Sequence, residues 1–410
     1  MNIVMVFHAP PFPPDIGPSR RHYHVLTETM KRHDVTVLSL GTNADRTLLL
    51  EHTGLDPRGV HFAPGDRTRT RKALRSAAYL ATGRSDFRRL RVAALQRLMD
   101  RAVDAASFDV AYFSTVMLGC YRLPKRMPLI GDTHNVEHDN LARAARTAPE
   151  RWRRAHFRAQ AALTRREERA HVKRFDIVCA TSSRDRDVLR RFAPGAEVAV
   201  VPNGIDLEKY SPRYDAQRQD GLLLFTGLMS YYPNVHAVLR LVRGILPLVR
   251  ERVPHARVVV AGADPPASIR ALAGEAVEIT GRVADIRPCY AQAHALVVPL
   301  AIGGGTRVKV LEALAIGVPV VSTTVGCEGL DVIDGESVLI ADSDAAIANA
   351  VVRLLESPTL AASLVRGGTV VAHRYDWRRI GGVLDDVIRA AAAQRPSMTL
   401  EPHRGTCSAH

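Results

Sequence analysis

A buried strand, a glycine-rich turn and a helix follow one another between residues 295 and 317, and this stretch constrains the fold most strongly. The apolar run 295–298 predicts a strand, and three glycines at 303–305 end it. Apolar residues at helical spacing continue to Gly317, which predicts the end of the helix. The apolar run 318–322 predicts the next buried strand. Such alternation is typical of an α/β protein with parallel sheets.

The glycine turn leads into a helix N-terminus, and such a position favours anions. The first N–H groups of a helix have no intrahelical partner, and the helix dipole adds partial positive charge. Arg307 and Lys309 place two cations there. Glu312 cannot hold a phosphate, but it can accept hydrogen bonds from the vicinal hydroxyls of a ribose. The pattern therefore predicts a site for a nucleoside diphosphate carrying a sugar; the alternative is a strand-to-helix turn with two solvated cations.

The segment 303–321 resembles the donor-site signature of glycosyltransferase family 4, whose members have the GT-B fold. That signature carries two glutamates eight positions apart. The second matches Glu312, whereas the first falls at Gly304 and is missing. The resemblance covers residues 2–393. It implies an α/β fold of two Rossmann-like, doubly wound domains that face a central cleft.

The same resemblance implies the activity of a retaining glycosyltransferase. A sugar would move from a nucleotide-diphosphate-sugar donor to an acceptor hydroxyl of a glycan, a lipid-linked molecule or a small-molecule natural product. No metal and no further cofactor is expected. A non-catalytic nucleotide-sugar-binding homologue is the alternative, because Gly304 and Met229 depart from the family pattern.

The resemblance also assigns donor-binding residues in the second half of the chain. The family carries an Arg and a Lys after the first strand of this half, but here that strand ends in Gly227 and Leu-Met-Ser-Tyr follows. Arg307 and Lys309 are the expected substitutes and, with His134, the candidate catalytic residues. The remaining donor-side candidates are the glycine turn and the segment beside the nucleobase: Gly303, Gly304, Gly305, Thr306, Gly281, Arg282 and Val283.

The first forty residues predict a strand–helix–strand unit, which opens a doubly wound domain. Apolar runs at 2–7 and 34–40 flank a helix predicted over 21–31. The loop before that helix resembles the N-terminal loop of family 4, where a glycine lets the backbone approach donor or acceptor. Gly17 matches that glycine and Arg20 follows on the acceptor side, while Pro18 replaces the usual second glycine.

Polar residues follow the strand predicted at 129–132, where α/β proteins bind ligands. His134 matches a family position near the acceptor, and Asn135 is its neighbour. The alternative is a structural histidine. Asp185 and Asp187 form a D-x-D pair that could bind a metal, but Ser182 precedes them at a predicted helix start. Capping of that helix is the preferred interpretation.

Length and cysteine usage bound the class of protein. With 410 residues the chain exceeds what one hydrophobic core fills, which predicts two domains. Five widely separated cysteines without a C-x-x-C pair fit a reducing cytosol. The N-terminus predicts a strand and no signal peptide, and no apolar run approaches about 18 residues. A cytoplasmic protein able to contact the inner face of the membrane is expected.

The net charge of +14 suits anionic partners. The segment 64–101 is the most basic, and helical spacing of its apolar residues predicts an amphipathic helix over 87–98. Contact with anionic lipid is the functional interpretation, and a core-facing helix with a solvated Arg face is the alternative. A basic nucleic-acid-binding protein is a further alternative, but no zinc-finger or RNP-type pattern supports it.

Domain boundaries follow from the remaining pattern. The strand and Pro/Asn/Gly turn at 198–206 resemble the family's interdomain segment. We expect an acceptor-side domain at 1–204, a donor domain at 205–377, a helix at 378–393 that packs back on the first domain, and a disordered tail at 394–410. Single long helices are predicted over 140–174 and 231–248.

Overall fold

The computed structural model describes residues 1–14, 17–65, 79–80, 82–123, 127–148, 150–211 and 218–394. Two parallel sheets form its framework, one of seven strands in the order β3-β2-β1-β4-β5-β6-β7 and one of six in the order β10-β9-β8-β11-β12-β13. Most strands consist largely of buried residues, which explains why they are mainly apolar runs. The predicted two-domain α/β fold is confirmed.

The first sheet and its helices are formed by the N-terminal half. Its strands are β1 Asn2–Phe7, β2 Asp34–Leu40, β3 Val60–Ala63, β4 Val110–Phe113, β5 Leu129–Thr133, β6 Ile177–Ala180 and β7 Val198–Val200. Its described helices are α1 Gly17–Met30, α2 Asn43–Thr53, α3 Ala93–Ala105, α4 Glu137–Thr147, α5 Arg151–Val172 and α6 Ser183–Phe192.

The second sheet starts after the linker. Its strands are β8 Leu222–Thr226, β9 Arg257–Ala261, β10 Val277–Gly281, β11 Ala295–Val298, β12 Val320–Ser322 and β13 Leu339–Ile340. Its helices are α7 Tyr232–Arg240, α8 Leu246–Arg250, α9 Ala267–Arg270, α10 Arg287–Gln292, α11 Val308–Ile316, α12 Asp344–Glu356 and α13 Pro358–Arg374, and a π-helical turn at Leu241–Ile245 joins α7 to α8.

The last helix, α14 Trp377–Ala393, packs on the first sheet. Ile380, Leu384 and Ile388 are buried in the same core as Ile3 and Met5 of β1. The chain thus returns from the second domain to the first. The sheets divide between Val200 and Leu222, on either side of the proposed domain boundary at 204/205, which stays a proposal.

Several sequence-based expectations about local structure need correction. The helix predicted over 87–98 is a 3₁₀ turn at Asp86–Leu90 followed by α3, and the helix predicted over 140–174 is two helices, α4 and α5. Pro149 in the sequence explains the second break, because a proline disfavours helical backbone at the residue before it. The sequence does not predict strands β3 and β13, because β3 (Val-His-Phe-Ala) is only half-buried and β13 has two residues.

Two predicted segments fall largely on parts that are not described. Residues 66–78 and 81 of the basic stretch 64–101, and residues 395–410 of the predicted tail 394–410, lie outside the described residues. Among the described helices none is long and apolar enough to cross a membrane.

Candidate functional site

The glycine turn after β11 lies against the first domain, so the two domains meet at this turn. A Cβ atom at Gly304 would lie 2.5 Å from Oδ1 of Asn140 on α4. At Gly305 it would lie 2.4 Å from the carbonyl oxygen of His134. At Gly305 the obstacle is backbone, so this close approach requires glycine there. The sequence pattern predicts a turn that faces a phosphate, but it does not predict the close approach of Asn140 to Gly304.

Thr306 joins the turn to both the first domain and the linker. Its hydroxyl donates to the carbonyl of Thr181 at 3.0 Å and accepts from the backbone N–H of Asn203 at 3.4 Å. All three residues are buried. These bonds fix the entry to helix α11, which carries the predicted cations and Glu312.

Arg307 is buried and turns back onto its own loop. Its guanidinium donates to the carbonyl oxygens of Gly304, Gly305 and Val325. Burial lowers its pKa, which the nearby Glu328 opposes. In this arrangement Arg307 shapes the glycine turn, and its predicted contact with a diphosphate stays a prediction.

Lys309 extends toward the carboxyl end of β8. Its ammonium donates to Oδ1 of Asn234 at 3.0 Å and lies 4.0 Å from the ring centre of Phe225. A Cβ at Gly227 would be 3.0 Å from Nζ, so the strand end and the cation are adjacent, as expected from the sequence. Burial, followed by repulsion from Arg307, lowers the Lys309 pKa to about 7, which Glu312 partly offsets.

Glu312 is buried and accepts hydrogen bonds on both carboxylate oxygens. Tyr210 donates to Oε1 at 2.8 Å and Tyr290 donates to Oε2 at 2.7 Å. Arg20, from α1 of the other domain, forms an ion pair with Oε1. The phenol pKa values of both tyrosines are raised, by burial first and then by the Glu312 charge. From the sequence we expect Arg20 on the acceptor side, and no sequence pattern indicates that either tyrosine contacts Glu312.

His134 belongs to a cluster of three histidines at the cleft. Its Nε2 lies 2.9 Å from Nε2 of His22, one ring donating to the other, and the His22 ring packs 5.3 Å from that of His8. Burial lowers the pKa of His134 to about 4 and that of His8 to about 4. Both imidazoles are therefore neutral at neutral pH, and the position of His134 near an acceptor stays a prediction.

Ion pairs cross the cleft beside the glycine turn. Arg143 forms a two-pronged pair with Glu328 at 2.9 and 3.0 Å and also donates to the carbonyl of Gly303 at 2.9 Å. Arg184 reaches Glu328 at 2.8 Å and Asp139 at 2.5 Å. No sequence pattern indicates the position of Glu328, which lies more than a hundred residues from both arginines.

The remaining predicted residues lie around this centre. Gly17 begins α1, and Asn135 approaches Gly305 with its amide oxygen. Gly281 ends β10, so it lies with Arg282 and Val283 at the carboxyl edge of the second sheet, two strands from Gly227. Ser182 caps α6 by accepting from the backbone N–H of Asp185, which confirms the capping interpretation of that segment.

Two family descriptions match the chain over most of its length. Residues 17–209 match "Glycosyltransferase Family 4", and residues 220–357 match "Glycosyl transferases group 1".

Relatives of known name are similar over about half of the chain. A phosphatidyl-myo-inositol mannosyltransferase of Mycobacterium tuberculosis is 26% identical over 223 residues, 50% of this chain and 58% of that protein. A GDP-mannose-dependent alpha-(1-6)-phosphatidylinositol monomannoside mannosyltransferase of Mycolicibacterium smegmatis is 30% identical over 222 residues, 48% of this chain and 57% of that protein. The match thus spans a little over half the length of these relatives.

Solved structures share the fold at low identity. Sucrose-phosphate synthase from Thermosynechococcus elongatus superposes with a TM-score of 0.70 at 17% identity, over 95% of this chain and 98% of that one. The HepE protein of Anabaena, solved in complex with UDP-glucose, has a TM-score of 0.68 at 15% identity, over 95% and 99% of the two chains.

Gly305→Ala and Gly304→Ala form a matched pair that tests the contact between the glycine turn and the first domain. Gly305 has a φ of 68° and faces a backbone carbonyl, whereas the obstacle at Gly304 is the end of the Asn140 side chain, which can rotate away. Gly305→Ala should lower the free energy of unfolding by about 1–2 kcal/mol from the left-handed backbone alone. Gly304→Ala should change it by less than about 0.5 kcal/mol.

Urea titrations of both variants give the free energies, and small-angle scattering reports the separation of the domains. Gly305→Ala should also open the cleft, because its methyl group displaces His134. Equal losses of stability in the two variants, with unchanged scattering, would contradict a close contact between the glycine turn and the first domain.

Proposed function

The chain belongs to glycosyltransferase family 4 and has the GT-B fold, and we propose that it moves a sugar from a nucleotide-diphosphate donor to an acceptor hydroxyl with retention of configuration. The second domain holds the donor and the first domain presents the acceptor. The observation that carries this proposal is the position of Lys309 at the end of β8, beside Gly227.

Within the part of the chain that the structure describes, Lys309 forms no ion pair. Its ammonium contacts an amide oxygen and an aromatic ring, while the Glu312 carboxylate three residues away is engaged by two tyrosines and Arg20. A cation removed from water without a partner is unfavourable, so the site favours the neutral amine or an anionic ligand. A diphosphate at the carboxyl end of β8 provides that anion where α/β domains bind ligands.

Glu312 supports the nucleoside end of the donor. A carboxylate has about four lone-pair sites, and Tyr210, Tyr290 and Arg20 occupy three. The fourth can accept from a ribose hydroxyl, and displacement of Arg20 would provide another. Gly281, Arg282 and Val283, at the edge of the same sheet, would then border the base.

The chemistry we propose is electrostatic. As the bond between sugar and diphosphate breaks, negative charge grows on the leaving group and the protonated Lys309 stabilises it. A phosphate oxygen of the donor takes the proton of the acceptor hydroxyl, whose oxygen bonds to the anomeric carbon on the face that the diphosphate leaves. His134, neutral at the cleft, orients the acceptor. No divalent metal takes part in this scheme.

The relatives favour a lipid-linked acceptor and a nucleotide donor. Two of them are named for phosphatidylinositol substrates, and the HepE protein was solved with UDP-glucose. We propose that this chain works in the cytoplasm on an acceptor at the inner face of the membrane. A second candidate, donor binding without catalysis, is favoured by Gly304, where the family's first glutamate is absent.

A donor panel followed by product analysis tests the proposed function. Nucleotide sugars are screened by thermal shift, since a ligand at one hundred times its Kd adds about 2.7 kcal/mol. The stabilising donor is then incubated in EDTA, and NMR reports hydrolysis or transfer and the anomeric configuration. Retained configuration in EDTA is expected. An inverted product or a strict requirement for Mg²⁺ would contradict the mechanism, and binding without turnover would favour the second candidate.

Lys309 and Glu312 should differ in which kinetic constant they affect. Lys309→Met should cut kcat at least about tenfold, because its contact strengthens as the diphosphate charge grows. Glu312→Gln should raise the donor KM about tenfold to 150-fold, the range of one charge-assisted hydrogen bond, and leave kcat nearly intact.

Steady-state kinetics with the best donor decide between these roles, and circular dichroism checks folding. Arg20→Gln is the control for Glu312, because it removes the cross-domain ion pair while keeping the carboxylate; its donor KM should stay near that of the wild type. A Glu312→Gln variant that loses kcat at unchanged KM would place the carboxylate at the reacting centre instead of the ribose.

A further inference from the structure

Helix α5 of the first domain has an outward face that carries only basic charge. The exposed positions recur at helical spacing and include five arginines: Arg151, Arg158, Arg165, Arg166 and Arg169. The two carboxylates of the helix point away from this face. Glu167 accepts from the hydroxyl of Ser85 at 2.6 Å, and the buried Glu168 accepts from the backbone N–H of Glu137 at 3.0 Å.

The charge of this face is not neutralised by neighbours. Among the described residues, none of the five arginines has an ion-pair partner, whereas Arg153, on the flank, pairs with Glu150 at 3.3 Å. From Arg151 to Arg169 the row is about 27 Å long at 1.5 Å per residue. Five unpaired guanidinium groups in one row favour an extended anionic surface over a single small anion.

An exposed indole stands at the N-terminal end of the row. Trp152 is 66% exposed, and the Arg153 guanidinium lies 5.2 Å from its ring centre. A tryptophan beside arginines suits the headgroup region of a bilayer, where the apolar ring and the charged groups are both accommodated.

The same end of α5 lies where the two domains meet. The Phe157 ring is 6.4 Å from that of Tyr232, and the Tyr232 hydroxyl donates to the carbonyl of Thr147 at 3.2 Å. Tyr231, next to it, is 46% exposed. A surface that binds α5 would therefore border the mouth of the cleft.

We propose that the outward face of α5 docks on an anionic lipid bilayer and holds the cleft mouth at the membrane. The reason for docking rests on the proposed function, because a lipid-linked acceptor would be reached there, but the binding itself needs no donor. Nucleic acid fits the observations less well, since a single exposed indole provides no row of aromatic rings for stacked bases. The site differs from the segment 64–101 expected from the sequence.

Vesicle binding of the full chain tests this proposal. Each arginine near an anionic surface contributes about fivefold to partitioning, the equivalent of about 1 kcal/mol. Arg158→Gln/Arg165→Gln should therefore weaken sedimentation with phosphatidylcholine–phosphatidylglycerol vesicles about 25-fold. Arg353→Gln/Arg366→Gln, which removes the same charge from exposed positions on α12 and α13, should leave it unchanged.

Tryptophan fluorescence gives a second, local readout. The chain has two tryptophans, and Trp377 is buried at 5% exposure, so a blue shift on vesicle binding reports Trp152. Trp152→Phe should abolish the shift while the protein stays folded.

Equal losses of vesicle binding in the two double variants, or no preference for anionic over neutral vesicles, would overturn the proposal. A salt-dependent RNA or DNA shift that Arg158→Gln/Arg165→Gln removes, without vesicle binding, would also overturn it in favour of nucleic acid. Loss of turnover with vesicle binding intact would count against the proposed function alone.

Discussion

The buried ion pair between Arg21 and Asp132 organises the first domain and the linker together. Arg21 is 1% exposed and holds both carboxylate oxygens of Asp132, at 2.6 and 2.7 Å, while Tyr112 donates to the same carboxylate. The remaining donors of Arg21 reach the linker, at the carbonyl of Pro202 and the amide oxygen of Asn203. Removal of one partner from such a buried pair typically costs about 3–5 kcal/mol.

Because Arg21 is fixed, its two neighbours on α1 are fixed as well. Arg20 reaches across the cleft to Glu312, and His22 lies against His134. The linker residue Asn203 in turn meets Thr306 of the glycine turn. Through these neighbours, one buried guanidinium is linked to the Glu312 carboxylate, to the His134 ring and to the glycine turn. Lys309 and Glu312 share a single helix, α11, so both side chains move with the second domain as a unit.

The sequence was sufficient to predict the fold, and the reason is local. The apolar runs at 222–226 and 295–298 are buried on both faces, and the glycines that end strands are needed there by the backbone. The partners of those residues could not be predicted. Three sets of contacts form only through tertiary packing: Asn140 with Gly304, Tyr210 and Tyr290 with Glu312, and Glu328 with Arg143. Patterns in a single sequence hold no information on such distances. Arg307 shows the same limit, since its position beside the glycines indicated an anion, while the folded turn engages it with carbonyl oxygens.

The electrostatics of Lys309 connect fold and function. Its pKa of about 7 follows from burial first and then from repulsion by Arg307, and a bound diphosphate must raise that pKa by favouring the charged form. Affinity for the diphosphate should therefore fall as pH rises above about 7, until the pH passes the pKa of the bound state.

The most direct measurement is the number of protons taken up when the nucleoside diphosphate of the best donor binds. Calorimetry at about pH 8 in buffers of different ionisation enthalpy gives that number. The wild type should take up close to one proton per ligand, and Lys309→Met should take up none. Binding by the wild type without proton uptake, or equal uptake by Lys309→Met, would contradict a diphosphate at Lys309.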